Sequence, residues 1–266
     1  MSEENSSLLS DAERLIRAGT VFTSSAEVPF LVIPVDYKLQ DTEALQKRPR
    51  RIRERLKFGT IESFVAYVQA WADPGSVIFV DEKMRTLRAI LDYHASDQSP
   101  TWCDHQATFT AQISREATAW MGNNTKGLEQ IQFAEFLEER IADVVEPAGA
   151  DLLERALKLQ FIQQAVFGSA VRLQSGEFQL QYSQENQKGS VELPEKVALG
   201  LQIFHSGKAY KIDARLRYRL KEGKVTFHYK LVELEKAMEH AFDEITREIS
   251  AALPEVTLYT AARGQE

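Results

Sequence analysis

The sequence has little cysteine and no long hydrophobic run. Among its 266 residues, Cys103 is the single cysteine, so no disulfide can form within the chain. The longest apolar runs, such as residues 28–33, are much shorter than the roughly 18 residues that a membrane-spanning helix needs. Residues 1–5 are acidic and polar, where a signal peptide would be basic and then apolar. These absences predict a cytoplasmic protein with no membrane segment.

The sequence also lacks the motifs that mark several enzyme classes. It has no glycine-rich phosphate loop, no Gly-x-Ser-x-Gly, no dinucleotide fingerprint, no Cys-x-x-Cys pair and no His-Glu-x-x-His. A nucleotide-driven motor, a serine hydrolase and a zinc finger are therefore disfavoured, and we expect no cofactor. Enzymes with scattered catalytic residues stay open, because one sequence does not show which side chains converge.

Charge is unevenly distributed along the chain. The net charge of −7 disfavours a protein that coats nucleic acid over its whole surface, because phosphate binding needs a positive local potential. Residues 47–57 nevertheless carry +6, which leaves −13 on the remainder. The charge of this basic segment is typical of a nucleic-acid-binding arm, but it lacks the interleaved aromatic residues that favour single-strand binding. A solvated linker, or an arm that docks on a neighbouring subunit, is at least as good an interpretation. Its cations are Lys47, Arg48, Arg50, Arg51, Arg53, Arg55 and Lys57.

The spacing of apolar residues predicts an α+β protein. Helical spacing follows Thr60, a residue suited to cap a helix, and returns from Glu233 to Leu253. The nearly sixty residues after Gly176 follow a period of two, which is typical of an antiparallel β-meander. We expect the C-terminal helix to cover this meander. Further strands are predicted at residues 28–35, 77–80, 86–93 and 107–113.

Two longer helices are predicted between these parts. One runs from Glu129 to Val145 and is ended by Pro147; the other runs from about Ala150 toward Leu173. So short a connection favours an antiparallel helical hairpin.

The predicted organisation has three parts. Residues 1–58 hold an N-terminal helix, a strand and the basic segment, residues 59–253 form a single α+β core, and residues 254–266 form a C-terminal strand and tail. The core comprises a small α/β lobe (59–127), the helical hairpin (128–175) and the β-meander with its helix (176–253).

Four residues, here called the Asp/His group, bring acid–base and metal-binding side chains close together in the sequence. In a strand over residues 86–93, side chains alternate, so Asp92 and the nearby His94 would share one face. Aspartate and neutral imidazole can bind zinc or manganese. A carboxylate from the first long helix, Glu135, Glu138 or Glu139, would complete such a site. The group consists of Asp92, His94, Asp104 and His105.

A structural interpretation competes with catalysis for the Asp/His group. Aspartates in loops often accept hydrogen bonds from backbone amides, and buried histidines are usually satisfied polar residues. We favour this interpretation and expect no bound metal.

The last predicted hairpin has an apolar face and a cationic face. A two-residue turn at Glu222-Gly223 would place Arg219 opposite Thr226, Arg217 opposite His228 and Arg215 opposite Lys230. Like charges on facing strands cost up to ~1 kcal/mol per pair, so this face favours an anion. The anion can be nucleic acid, a phosphorylated small molecule, or acidic side chains, and in an acidic protein we expect internal or intersubunit pairing first. The cationic face consists of Arg215, Arg217, Arg219, His228 and Lys230.

Several landmarks follow one another in a distinctive order. They are Ser63-Phe64 with Tyr67-Val68, Leu91-Asp92-Tyr93-His94, Asp104-His105 with Ala107, Phe-Ala-Glu-Phe-Leu-Glu at 133–138 and Arg-Leu-Arg-Tyr-Arg at 215–219. Together they resemble the YfdQ-like family of phage- and prophage-encoded proteins, from about Val28 to the C-terminal helix. The resemblance implies an accessory protein in the cytoplasm of a bacterial host cell, and it supplies no catalytic residues.

The sequence therefore favours a non-enzymatic phage accessory protein that self-associates and binds a protein partner or an anionic ligand. Two alternatives stay open: a metal-dependent hydrolase or nuclease that uses the Asp/His group, and a nucleic-acid-binding protein of phage recombination or replication. A homo-oligomer is expected because the basic segment and the acidic remainder attract each other. In addition, the end strands of a meander expose unpaired backbone groups.

Overall fold

The chain divides into two units, Met1–Ile52 and Arg53–Glu266. In the first unit, strands β1 (Val21–Thr23) and β2 (Pro29–Leu31) pair antiparallel. The strand predicted at residues 28–35 is described there only as β2, and the helix predicted near residues 10–19 lies outside the described residues. The computed structural model describes residues 21–23, 29–31, 46–95, 99–161, 166–184, 187–205, 207–222 and 224–261.

The second unit begins with a mixed five-stranded sheet. Its strands are β3 (Arg55–Phe58), β4 (Val77–Asp81), β5 (Thr86–Ile90), β6 (Gln106–Thr110) and β15 (Thr257–Thr260). Their order is β15-β4-β5-β6-β3, with β15 parallel to β4, β3 parallel to β6 and the central pairs antiparallel. The interpretation of the basic segment as a linker or arm is therefore wrong for its last residues, which form β3.

Helix α1 (Ile61–Trp71) covers one face of this sheet. Thr60 caps it, as predicted, because its hydroxyl accepts a hydrogen bond from the backbone N–H of Ser63. Phe64 and Val68 are fully buried against the sheet. Trp71 continues the helical spacing of Phe64 and Val68, yet it is 51% exposed and is the last residue of the helix.

The predicted meander is divided between two antiparallel sheets. One sheet, of order β11-β10-β9, contains β9 (Val166–Arg172), β10 (Glu177–Gln184) and β11 (Gln187–Pro194). The other has the order β7-β14-β13-β12-β8. It contains β7 (Leu128–Glu129), β8 (Val144–Glu146), β12 (Lys196–Gln202), β13 (Ala209–Lys221) and β14 (Lys224–Leu231).

Four further helices complete the described fold: α2 (Arg115–Gly122), α3 (Gln130–Glu139), α4 (Gly149–Phe161) and α5 (Leu234–Ala252). Helices α3 and α4 pack together, but both are shorter than predicted. Residues 144–146, predicted in the first helix, instead form β8 and pair with β12. Residues 166–172, predicted in the second helix, form β9 and pair with β10. Strand pairing therefore overrides the helical pattern in both places.

Aromatic side chains join α3 to the second large sheet. Phe133 of α3 stacks on Phe227 of β14 at 4.7 Å between ring centroids. Tyr229 is fully buried and donates a hydrogen bond to the carbonyl oxygen of Trp120 at 2.6 Å. Helix α5 packs on β13, as predicted, and also contacts α1. Among the described helices, none is long and apolar enough to cross a membrane.

Candidate functional site

Asp92 is the centre of the Asp/His group. Strand β5 ends at Ile90, so Asp92 lies in a turn and not on a strand face shared with His94; that prediction was wrong. Both oxygens of its carboxylate accept backbone hydrogen bonds, Oδ2 from Asp104 and Oδ1 from His105, each at 3.0 Å. Its carbonyl oxygen accepts a hydrogen bond from the hydroxyl of Thr101. The interpretation in which this aspartate holds loop amides is confirmed.

The other members of the Asp/His group have different surroundings. His105 is 6% exposed, and its Nε2 lies 2.8 Å from the hydroxyl of Tyr67. His94 donates its backbone N–H to the carbonyl of Gly75 at 3.3 Å, while its ring Nδ1 is buried without a hydrogen bond. The expectation of a satisfied histidine is therefore wrong for His94. The carboxylate of Asp104 lies 4.0 Å from Nε of Arg53. The group therefore faces several neighbours and does not converge on one point.

The geometry gives the hydrolase alternative little support. Across the described residues, no three His, Cys, Asp or Glu side chains lie close enough together to hold a metal ion. Glu135, the proposed additional ligand, is exposed on α3, which packs on the other large sheet. Burial, followed by the charges of Asp92 and Asp104, raises the pKa of the Cys103 thiol and disfavours its reactive thiolate.

Two residues from other elements contact residues 91–105, here called the 91–105 loop, and both were missed in the sequence analysis. Tyr67 comes from α1 and meets the His105 ring edge-on at 5.7 Å. Burial, and to a smaller extent Glu54, raises the pKa of the Tyr67 hydroxyl. Ser76 donates its hydroxyl to the carbonyl of Leu91 at 2.7 Å. The Pro-Gly-Ser turn before β4 was a visible signal for Ser76. Tyr67 was a landmark of the family resemblance, but nothing in the sequence indicated its contact with His105.

The cationic face forms in the predicted register. Arg215 pairs with Lys230, Arg217 with His228 and Arg219 with Thr226, across β13 and β14. The alternate residues of both strands, such as Phe227, are turned into the core. The four residues with permanent charge are all exposed: Arg215, Arg217, Arg219 and Lys230.

Neighbouring carboxylates do not neutralise this face. A groove of about 450 Å³ beside Arg215 contains four carboxylates, each already paired with a cation. These pairs are Glu146 with Lys211 at 3.1 Å, Glu177 with Arg155 at 2.5 Å, Asp213 with Lys196 at 2.7 Å, and Glu195 with Arg172. In the described part of the chain, no carboxylate lies within 4.0 Å of the cations of Arg215, Arg217, Arg219 or Lys230. Of the expected internal or intersubunit pairing, the internal part was therefore wrong for these residues, and the intersubunit part stays a prediction.

His228 reports the positive potential of the cationic face. Partial burial lowers the pKa of its imidazole, and the nearby Arg217 and Arg219 lower it further. The ring is therefore harder to protonate than a free imidazole and adds little charge of its own. It can still donate or accept a hydrogen bond between the two arginines.

The cations are spread out and do not surround one pocket. At a strand rise of about 3.4 Å per residue, Arg215 and Arg219 are about 14 Å apart along β13. Lys196 of β12 and Lys230 of β14 lie opposite Arg215 on the two neighbouring strands. Adjacent strands are about 5 Å apart. The face fits an extended anion better than a single small phosphate.

Comparison with known proteins gives a family and no activity. Residues 2–265 match a family described as an uncharacterized conserved protein, DUF2303. No curated protein and no solved structure matched the chain.

Proposed function

Because the chain belongs to the DUF2303 family, which is described without an activity, we propose its function from its own geometry. It is a non-enzymatic protein that binds an extended polyanion, such as a nucleic-acid backbone, on the cationic face. One observation carries the proposal: Arg215, Arg217, Arg219 and Lys230 are exposed together, and no described carboxylate pairs with them. Like charges on adjacent strands repel, and a bound polyanion removes that repulsion.

Neutralising Arg215 and Arg217 tests this function. Each phosphate contact contributes about 0.9 to the slope of log affinity against log salt concentration. The double variant Arg215→Gln/Arg217→Gln should therefore flatten the slope by about 1.8 and weaken binding roughly 50-fold at about 0.1 M salt. Fluorescence anisotropy with labelled duplex DNA, and competition with inorganic polyphosphate, measure both quantities.

A matched control removes the same charge elsewhere. Arg172 and Lys236 are exposed and already paired with Glu195 and Glu233. The variant Arg172→Gln/Lys236→Gln should change the slope by much less than the cationic-face variant. Equal effects of the two variants would show that net charge, and not the cationic face, controls binding. Absence of wild-type binding to either polyanion at low salt would refute the proposal.

A phage or prophage origin and action in the bacterial cytoplasm belong to the same proposal. They rest on the YfdQ-like resemblance. Fractionation of a lysogen before and after prophage induction would test them, because induced expression in the soluble fraction is expected.

Self-association is the remaining part of the proposal. The meander has less need of a partner than expected, because β7 pairs with β14 and β8 with β12 at its two ends. The charge separation remains, with +6 on the basic segment and −13 elsewhere. Light scattering at micromolar concentration should show at least twice the 30.2 kDa chain mass, with dissociation as salt rises. A species of single-chain mass at both low and moderate salt would exclude a homo-oligomer.

A further inference from the structure

The first large sheet carries a row of aromatic and polar side chains on its second face. Tyr259 pairs with Phe79, Phe79 with Arg88, Arg88 with Thr108 and Thr108 with Lys57. Partners directly opposite on neighbouring strands point to the same side of a sheet. The row therefore crosses all five strands, a width of about 19 Å at roughly 4.8 Å per strand.

This face lies opposite the helix. Phe58 and Phe109 alternate with the residues of the row along β3 and β6, and both contact Phe64 of α1. Among the described helices, α1 is the one with extensive contacts to this sheet, and it covers the first face. On the second face, Tyr259 is 51% exposed, Lys57 is exposed, and the other three members of the row are half-buried.

Phe79 is the centre of an aromatic platform. Its ring centroid lies 6.1 Å from that of Tyr259, with only 30° between the ring planes, and 5.6 Å from that of Tyr93. The guanidinium carbon of Arg88 lies 6.0 Å from the Phe79 ring centroid. Two adjacent rings, one of them half exposed to solvent and the other beside a cation, provide a surface on which a planar base can stack.

Cations extend from the platform to the opposite edge of the sheet. Arg55 and Lys57 lie on β3 and point to the same side as Arg88, because side chains alternate along a strand. Asp81 is the carboxylate on this face of β4, and it accepts a hydrogen bond from the backbone N–H of Met84. Three cations therefore share the face with one carboxylate. The basic segment has no aromatic residues interleaved in its sequence, but β4 and β15 of the same sheet supply them on the same face.

We propose that this second face binds single-stranded nucleic acid. Unpaired bases stack on Phe79 and Tyr259, and the phosphates contact Arg55, Lys57 and Arg88. An apolar partner would favour a continuous hydrophobic patch, whereas only the first two members of this row are rings and the rest are two cations separated by a threonine. Base stacking on aromatic residues of a sheet is tolerant of sequence and requires unpaired bases. The site lies in a different sheet from the cationic face, and the inference stands without it.

A pair of probes separates stacking from charge. Both are fluorescein-labelled strands of about ten nucleotides, one of oligothymidylate and one abasic, bound to the full-length protein. The wild type should prefer the strand with bases. Tyr259→Ala should weaken oligothymidylate binding about tenfold and leave abasic binding unchanged, whereas Tyr259→Phe should retain the preference. Lys57→Gln should weaken binding of both strands.

The chain offers a matched aromatic control. Trp71 has the same 51% exposure as Tyr259 but belongs to α1 on the opposite face. Trp71→Ala should therefore leave oligothymidylate binding unchanged. Arg215→Gln/Arg217→Gln should keep the preference for the strand with bases. A failure of the single-strand proposal is therefore distinguishable from a failure of the proposed polyanion binding on the cationic face.

Three results would overturn the inference. The first is no binding of oligothymidylate by the wild type, or equal affinity for both strands. The second is unchanged oligothymidylate binding by Tyr259→Ala. The third is a fall in mass on light scattering for Tyr259→Ala, which would identify this face as a contact between two copies of the chain.

Discussion

Replacing Asp92 with alanine is expected to lower the free energy of unfolding by about 3 kcal/mol. The carboxylate accepts the backbone N–H groups of Asp104 and His105, each at 3.0 Å. Hydrogen bonds to charged groups contribute about 1.5–3 kcal/mol each, and a donor left unsatisfied adds a desolvation cost. For a chain of this length, the melting temperature should fall by about 6–12 °C. Thermal unfolding followed by circular dichroism measures the change.

Two further variants define what the Asp92 carboxylate does. Asp92→Asn keeps one oxygen that can accept but replaces the other with a donor, so its loss should be intermediate. Asp104→Asn should cost less than about 1 kcal/mol, because its carboxylate is partly exposed and 4.0 Å from Arg53. Equal melting temperatures for wild type and Asp92→Ala would contradict the structural interpretation. So would stoichiometric zinc or manganese in the wild type that is lost in Asp92→Ala together with phosphodiester hydrolysis.

The last hairpin was predictable because its rules are local. A period of two identifies two strands, and the Glu222-Gly223 turn fixes which residues face each other. The observed pairs, such as Arg217 with His228, follow from those two features. The C-terminal helix was predictable for a similar reason, since one apolar stripe, including Phe242 and Ile249, runs along its length.

The errors occurred where strand pairing and tertiary contacts decide the local structure. Residues 144–146 fit a helical pattern, but they pair with β12, which is remote in sequence. Residues 166–172 also fit a helical pattern, but they pair with β10, the next strand along the chain. The strand over residues 86–93 was predicted too long, because the Ser76 hydroxyl takes the carbonyl of Leu91 and the Asp92 carboxylate takes the backbone N–H of His105. The aromatic platform joins Phe79 to Tyr259, residues that no sequence period connects.

The largest effect of a single added carbon is expected at Gly75. A Cβ atom at this position would overlap the carbonyl oxygen of His94 and lie 2.7 Å from its carbonyl carbon. The Gly75 carbonyl also accepts the His94 N–H at 3.3 Å, which fixes the two backbones against each other. Gly75→Ala should therefore force the 91–105 loop away and destabilise the protein by about 2–3 kcal/mol. Urea unfolding monitored by tryptophan fluorescence provides the measurement.

Gly59 is the matched control, because a Cβ atom there would meet nothing within 4 Å. Gly59→Ala should change stability by less than about 1 kcal/mol, because alanine fits there and also reduces the conformational entropy of the unfolded chain. Gly75 contacts the start of the 91–105 loop and the Asp92 carboxylate binds its end. The stability lost in the double variant Gly75→Ala/Asp92→Ala should therefore be smaller than the sum of the losses in the two single variants. Once the loop is released by one change, the other has fewer contacts left to remove. Full additivity, or equal stabilities of Gly75→Ala and Gly59→Ala, would show that Gly75 and Asp92 do not stabilise a shared structure.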